Sequence, residues 1–136
     1  MNELKSVFSR EELTENAVKL LKKLIATPSM SRDEYNVSLI IEGFFNEHQL
    51  TVNRFKNNIW ATNKHFDAGK PSILLNTHHD TVKPNKAYTL DPFIPVEKEG
   101  KLFGLGSNDA GASLVAMVQT FLYFYEAEDL THNLVI

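Results

Sequence analysis

The segment Leu74-Leu75-Asn76-Thr77-His78-His79-Asp80 delivers two imidazoles and a carboxylate at the end of an apolar run. On an extended chain alternate side chains share a side, so His78 and Asp80 point one way and His79 the other. A metal-binding imidazole needs its second ring nitrogen held by an acceptor, which fixes the tautomer and makes the ring a better donor. Asp80, two residues after His78, is placed to be that acceptor. The plainer reading of the pair alone is a salt bridge at a strand end. His79, on the opposite side, reads as packed or hydrogen-bonded rather than as a ligand.

A second segment, Gly104-Leu105-Gly106-Ser107-Asn108-Asp109, opens an apolar stretch of helical character. A Gly-x-Gly turn before a helix raises the question of a dinucleotide site, where a pyrophosphate rests on backbone amides. Here Asp109 stands where the third glycine would be, and its carboxylate would repel a phosphate. A cation is the better guest, and capping the helix is the plainer role for Asp109. Read together, the two segments supply one His, one supporting Asp and one free Asp, which is half a metal site. The sequence has no cysteine, so thiolate ligation and Cys-His catalysis are excluded. Nitrogen and oxygen donors suit zinc, cobalt or manganese. Of the other histidines, His48 ends a helical apolar stripe and reads as partly buried packing. His65 and His132 lie beside loops without an acidic partner at a useful spacing. No serine stands in a nucleophile-elbow pattern.

The elements that must position these groups are legible in the apolar spacing. From Glu11 to Ala26, Leu13, Ala17, Leu20, Leu21 and Leu24 recur at three- and four-residue steps, which predicts an amphipathic helix. Ser9 with Glu12 fits a capping box at its start, and Pro28 fits its end. Val37, Ile40, Ile41, Phe44 and Phe45 predict a second helix from Arg32 to His48. Short runs then predict strands at Thr51 to Phe55, Asn58 to Thr62 and Ser72 to Thr77, separated by turn-prone Asn, Gly and Pro. Ile73, Leu74 and Leu75 are apolar on successive residues, as in an interior strand covered on both faces. Lys83 to Pro95 carries three of the five prolines and reads as a loop. Asp109 to Glu126 predicts a helix buried on most sides, and Asn133 to Ile136 begins a further strand. The fold class is α/β, as one layered domain or the front of one.

With 136 residues, 43% hydrophobic and 23% charged, the chain is built to fold around one core. A net charge of −3 gives no concentrated basic surface for nucleic acid, and Lys22 and Lys23 read as a solvated helix face. Met1 to Arg10 lacks the apolar run of a signal peptide, and no stretch approaches the ~18 apolar residues of a membrane span. A cytoplasmic location with neither membrane nor nucleic-acid partner is the expectation.

Leu74 to Val82, LLNTHHDTV, resembles the first metal-binding motif of the zinc amidohydrolases that include acetylornithine deacetylase, succinyl-diaminopimelate desuccinylase, aminoacylase, peptidase T and the glutamate carboxypeptidases. Phe93 to Ala112, FIPVEKEGKLFGLGSNDAGA, resembles their second. Leu24 to Glu34, LIATPSMSRDE, resembles their opening of helix, Pro-Ser turn and helix. The resemblance implies a zinc-peptidase-like catalytic domain with a mixed central sheet flanked by helices, of which residues 1–136 form the N-terminal portion. It also implies that His78 binds one metal, that Asp80 serves catalysis by orienting His78, and that Asp109 bridges two metals. The cofactor so implied is zinc, two per active site, with cobalt or manganese as alternatives. The implied reaction is two-metal hydrolysis of the amide bond of an N-acyl amino acid by an activated water. The surroundings of HHDTVKPN look most like the acetylornithine deacetylase branch, which would place the enzyme in arginine biosynthesis.

In that family a Glu-Glu pair supplies the general base, expected here just after Ile136, and later segments supply further ligands and an inserted dimerisation domain. The 136-residue chain alone is therefore expected to be inactive, and the parent protein a homodimer. One departure stands out: Gly111 occupies the position two after Asp109 where relatives often carry Lys. The rival readings are an aminopeptidase or dipeptidase of the same superfamily and a non-catalytic binding protein that retains the fold.

Overall fold

The computed structural model describes residues 8–136, so the Met1–Val7 part of the polar N-terminal stretch lies outside the described residues. Helix α1, Arg10–Ile25, starts where the sequence places it. The Ser9 hydroxyl accepts from the Glu12 amide, and the Ser9 amide donates to the Glu12 carboxylate at 2.8 Å, which satisfies two otherwise unpaired donors reciprocally. Its buried stripe is Leu13, Leu20, Leu21 and Ile25. Helix α2, Tyr35–Glu47, begins three residues later than the apolar spacing suggests. The delay has a local cause: Asp33 N donates to Met30 O at 2.7 Å, closing a turn in which Arg32 has φ 80°. A residue in the left-handed region cannot belong to a right-handed helix.

Strands β1, Val52–Phe55, and β2, Asn58–Ala61, form an antiparallel hairpin. Strand β3, Ser72–Leu74, pairs in parallel with the last strand, Asn133–Val135, numbered β6 below. Between them in sequence, β4, Val96–Lys98, and β5, Lys101–Phe103, make a second hairpin. Its two turn residues, Glu99 and Gly100, have φ 54° and 72°, the positive values that match a tight turn to the twist of the strands. Parallel and antiparallel pairs both occur, in three two-stranded ladders among the described residues. Two of them are joined: Ala61 and Ile136 exchange both backbone hydrogen bonds at 3.0 Å, and Asn63 N donates to Leu134 O. Strand β6 thus lies between the β1–β2 hairpin and β3. Two buried amides hold this junction, Asn63 accepting from Leu134 N and Asn133 bonding Asp67 in both directions.

Within residues 8–136, strand β3 is not covered on both faces as an interior strand would be. It ends at Leu74, pairs only with β6 among the described residues, and leaves Ile73 46% and Leu74 64% exposed. A run of apolar residues states that both faces can be buried; which neighbour covers them is decided elsewhere in the chain.

Helix α3, Ala112–Phe124, starts three residues after Asp109. Ser107–Gly111 is a kinked turn in which Asp109 is extended (φ −120°, ψ 99°), and the Asp109–Ala110 peptide bond is cis. Leu114, Val115, Val118, Gln119, Phe121 and Leu122 are buried, whereas Ser113, Ala116 and Thr120 are exposed along the opposite side. The helix is therefore two-faced rather than buried nearly all round. It packs on α1, α1 also touches α2, and α2 lies on the β1–β2 hairpin. Phe45 and Phe121 are the largest buried side chains at the centre of this core. Among the described residues no helix is long and apolar enough to cross a membrane.

Candidate metal centre

After β3 the backbone leaves the ladder, with Leu75 N still donating to Val135 O at 2.7 Å, and runs through Asn76 and Thr77 to His78. The loop between α1 and α2 holds the next residues. Ser29 Oγ donates to His79 O at 2.8 Å, Thr81 N donates to Ser29 O at 2.6 Å, and Met30 pairs in parallel with Thr81. The Pro28-Ser29 turn is thus the clamp that fixes the direction of the His78–Thr81 segment.

His78 and Asp80 share a side, as the spacing requires. His78 Nδ1 lies 3.0 Å from Asp80 Oδ1, and His78 Nε2 lies 3.2 Å from Asp109 Oδ1. The other Asp80 oxygen accepts from Ser31 Oγ at 2.5 Å. The Ser31 hydroxyl, with a smaller contribution from His78, holds the Asp80 carboxyl below the usual carboxylate range. His79 lines a second cavity, of mixed polarity, with Ile41, Phe45, Asn76, Thr77 and Val118, and also borders the pocket that His78, Asp80 and Asp109 line. Burial there pushes its imidazole below the ordinary value of 6.5, as expected for a packed neutral ring.

Asp109 reaches the site because the turn before α3 is pinned from two sides. Gly106, at φ 73°, stands so close to Thr81 that an added Cβ would lie 2.6 Å from Thr81 Cγ2. Gly111 N donates to Gly106 O at 2.9 Å, and a Cβ on Gly111 would lie 2.6 Å from both that oxygen and Leu21 Cδ1. Glycine at 111 therefore suits this backbone, whatever relatives carry there. Asp109 makes no capping hydrogen bond to α3, and its side chain is 89% exposed, so the capping role is not the one it plays. His78, Asp80, Thr81, Gly106 and Asp109 line one open cleft, together with Tyr88 from the proline-rich loop.

The donor chemistry of this cluster fits a cation. If Nδ1 carries the proton that faces Asp80, Nε2 turns a bare lone pair toward a carboxylate oxygen, an arrangement that wants positive charge between them. Two donors each about 2.0 Å from a tetrahedral zinc stand about 3.3 Å apart, close to the separation of Nε2 and Oδ1. Among the described residues no group of three or more His, Asp and Glu converges to hold a metal. His78 and Asp109 are two donors, with Asp80 behind the first.

Residues 74–136 match the family model described as peptidase family M20/M25/M40. The resemblance carried by the two motifs is thus matched by a family model and by named relatives. The matched stretch takes in His78, Asp80 and Asp109. The chain is 32% identical over 123 residues to a succinyl-diaminopimelate desuccinylase of Sulfurovum sp. (strain NBC37-1), covering 89% of this chain and 32% of the relative. It is 37% identical over 134 residues to an acetylornithine deacetylase of Proteus mirabilis (strain HI4320), covering 88% and 34%. A succinyl-diaminopimelate desuccinylase of Xylella fastidiosa (strain 9a5c) is 37% identical over 103 residues, covering 70% and 26%. The chain spans about a third of the length of these curated relatives.

The remaining histidines fall where their surroundings predict. His48 is half-buried, its Nδ1 2.8 Å from Phe44 O and its ring 4.3 Å from that of Phe44. His65 and His132 are exposed. Lys22 is not merely solvated, since it reaches Glu97 at 2.7 Å. What residue-type reasoning missed is Ser31. Its only signal is membership of the Pro-Ser-Met-Ser turn, because a hydroxyl in a loop has no periodicity to mark it.

Proposed function

We propose that the protein carrying this chain is a metal-dependent amidohydrolase that cleaves the amide bond of an N-acyl amino acid, with His78 and Asp109 as metal ligands and Asp80 orienting His78. The observation that carries this reading is the alignment Asp80–His78–Asp109, with contacts of 3.0 and 3.2 Å on the two ring nitrogens. Asp80 holds the proton on Nδ1 and so leaves Nε2 as the ligating atom. Asp109, almost fully exposed, turns its carboxylate into the cleft with Oδ1 facing His78 Nε2, and is the carboxylate that would serve two ions. When bound, zinc, or cobalt or manganese in its place, supplies a Lewis acid for the amide carbonyl and lowers the pKa of water.

Residues 1–136 are read as the N-terminal part of the catalytic domain. The general base, the other ligands, the rest of a mixed sheet flanked by helices, and the dimer contacts are assigned to sequence outside this chain. Coverage of about a third of each relative supports that assignment, as does the shortage of donors at the site. The isolated chain is accordingly expected to bind metal weakly and to lack activity, since two ligands do not close a tetrahedral site.

The relatives' names point to two acyl substrates, acetylornithine and succinyl-diaminopimelate. Both are N-acyl amino acids, and the acetylornithine branch is favoured by the sequence around HHDTVKPN. The test is release of free amine by the full-length protein supplied with zinc, offered N-acetylornithine, N-succinyl-diaminopimelate and free dipeptides. Turnover of either N-acyl substrate supports the reading. Turnover of dipeptides alone would replace it with a peptidase.

A further inference from the structure

His78 stands between two carboxylates, and a neutral ring has one proton to give. Donation from Nδ1 to Asp80 leaves Nε2 as a ligand, whereas donation from Nε2 to Asp109 would spend the ligating nitrogen on a hydrogen bond. The two acceptors differ in how they are held. Asp109 is 89% exposed, whereas the Asp80 side chain is 35% exposed and engages two partners, His78 on one oxygen and Ser31 on the other.

Ser31 is itself fixed by the backbone. It lies in the turn closed by Asp33 N to Met30 O, next to the Met30–Thr81 bridge that ties this loop to the residue after Asp80. Glu34 caps the same turn from inside by accepting from the Arg32 amide. The hydroxyl therefore reaches Asp80 from a braced position.

We propose that Ser31 is a positioning residue that holds Asp80 against His78 Nδ1 and thereby selects the tautomer in which Nε2 is free to bind metal. The inference rests on the metal-ligand reading of His78 given above for its purpose, but its geometry stands without it. Removing the hydroxyl frees one Asp80 oxygen, lets the carboxylate rotate, and lets the exposed Asp109 compete for the ring proton.

The test is long-range proton–nitrogen NMR of the His78 ring in the metal-free, nitrogen-15-labelled chain at a pH where the ring is neutral. The expected result is a dominant Nδ1–H tautomer in the wild type, a clear gain of the Nε2–H tautomer in Ser31→Ala, and recovery in Ser31→Thr, which keeps the hydroxyl. An unchanged tautomer ratio in Ser31→Ala would overturn the proposal, as would an equal loss in Ser31→Thr with its fold intact by circular dichroism. Ser31 is exposed, so the alanine variant is expected to fold. Zinc titration of the wild type against His78→Ala tests the metal reading separately. Equal affinities there would count against that reading alone, so the two failures are distinguishable.

Discussion

His78 Nε2 and Asp109 Oδ1 lie 3.2 Å apart, brought together by the segment that follows β3 and by the kinked turn ahead of α3. In the full-length protein, His78→Ala or Asp109→Ala is expected to abolish zinc content and activity together. Asp80→Asn is expected to be milder, weakening metal affinity by about 10- to 100-fold, as loss of a ligand's hydrogen-bonding partner does. Metal analysis of the purified variants checks both. Normal zinc in the two ligand variants would mean that these side chains do not hold it.

The turn that carries Asp109 depends on an absent side chain. Gly111→Ala places a Cβ 2.6 Å from Gly106 O and from Leu21 Cδ1, and forcing a carbon into a packed site costs about 1–3 kcal/mol. Urea unfolding of the chain should show that loss. A neutral result would mean that the turn relaxes at no cost.

The capping box gives a pH dependence with a definite sign. Glu12 has its carboxyl lowered from the ordinary 4.5, first by the Ser9 amide and then by the Ser9 hydroxyl. A carboxyl with a depressed value in the folded state stabilises fully above its unfolded value, and loses that contribution as pH falls through the folded one. The stability difference between wild type and Glu12→Gln should therefore be constant near neutrality and shrink below about pH 4.5. Ser9→Ala should cost about 1 kcal/mol at neutral pH. Urea titrations from pH 7 down to 3 read both effects.

Phe121, fully buried on α3, is expected to be the most expensive truncation. Phe121→Ala should destabilise the chain by about 3–5 kcal/mol through lost burial and a residual cavity. Denaturant unfolding measures it. A cost below about 1 kcal/mol would mean that the core collapses around the gap.

Much of this protein is determined by sequence at short range. Leu13, Leu20 and Leu21 recur at helical spacing and do form the buried stripe of α1, because a helix repeats every 3.6 residues and burial follows that period. Ser9 and Glu12 mark the start of α1 because the groups they satisfy are three residues away. The shared side of His78 and Asp80 follows in the same way from the alternation of an extended chain.

The tertiary structure decided what short-range periodicity cannot carry. The apolar run at Ile73 and Leu74 says nothing about position in a sheet, and among the described residues β3 pairs with β6 alone, with both residues exposed. Apolar spacing placed the start of α3 at Asp109, yet contacts of Gly106 with Thr81 and of Gly111 with Leu21 accompany a turn that delays it to Ala112. Ser31 meets Asp80 only because the α1–α2 loop bonds to the His78–Thr81 segment. Side-chain periodicity reports which side of an element seeks burial. Distances between donors far apart in the chain are set by how the elements pack, and no local pattern encodes them.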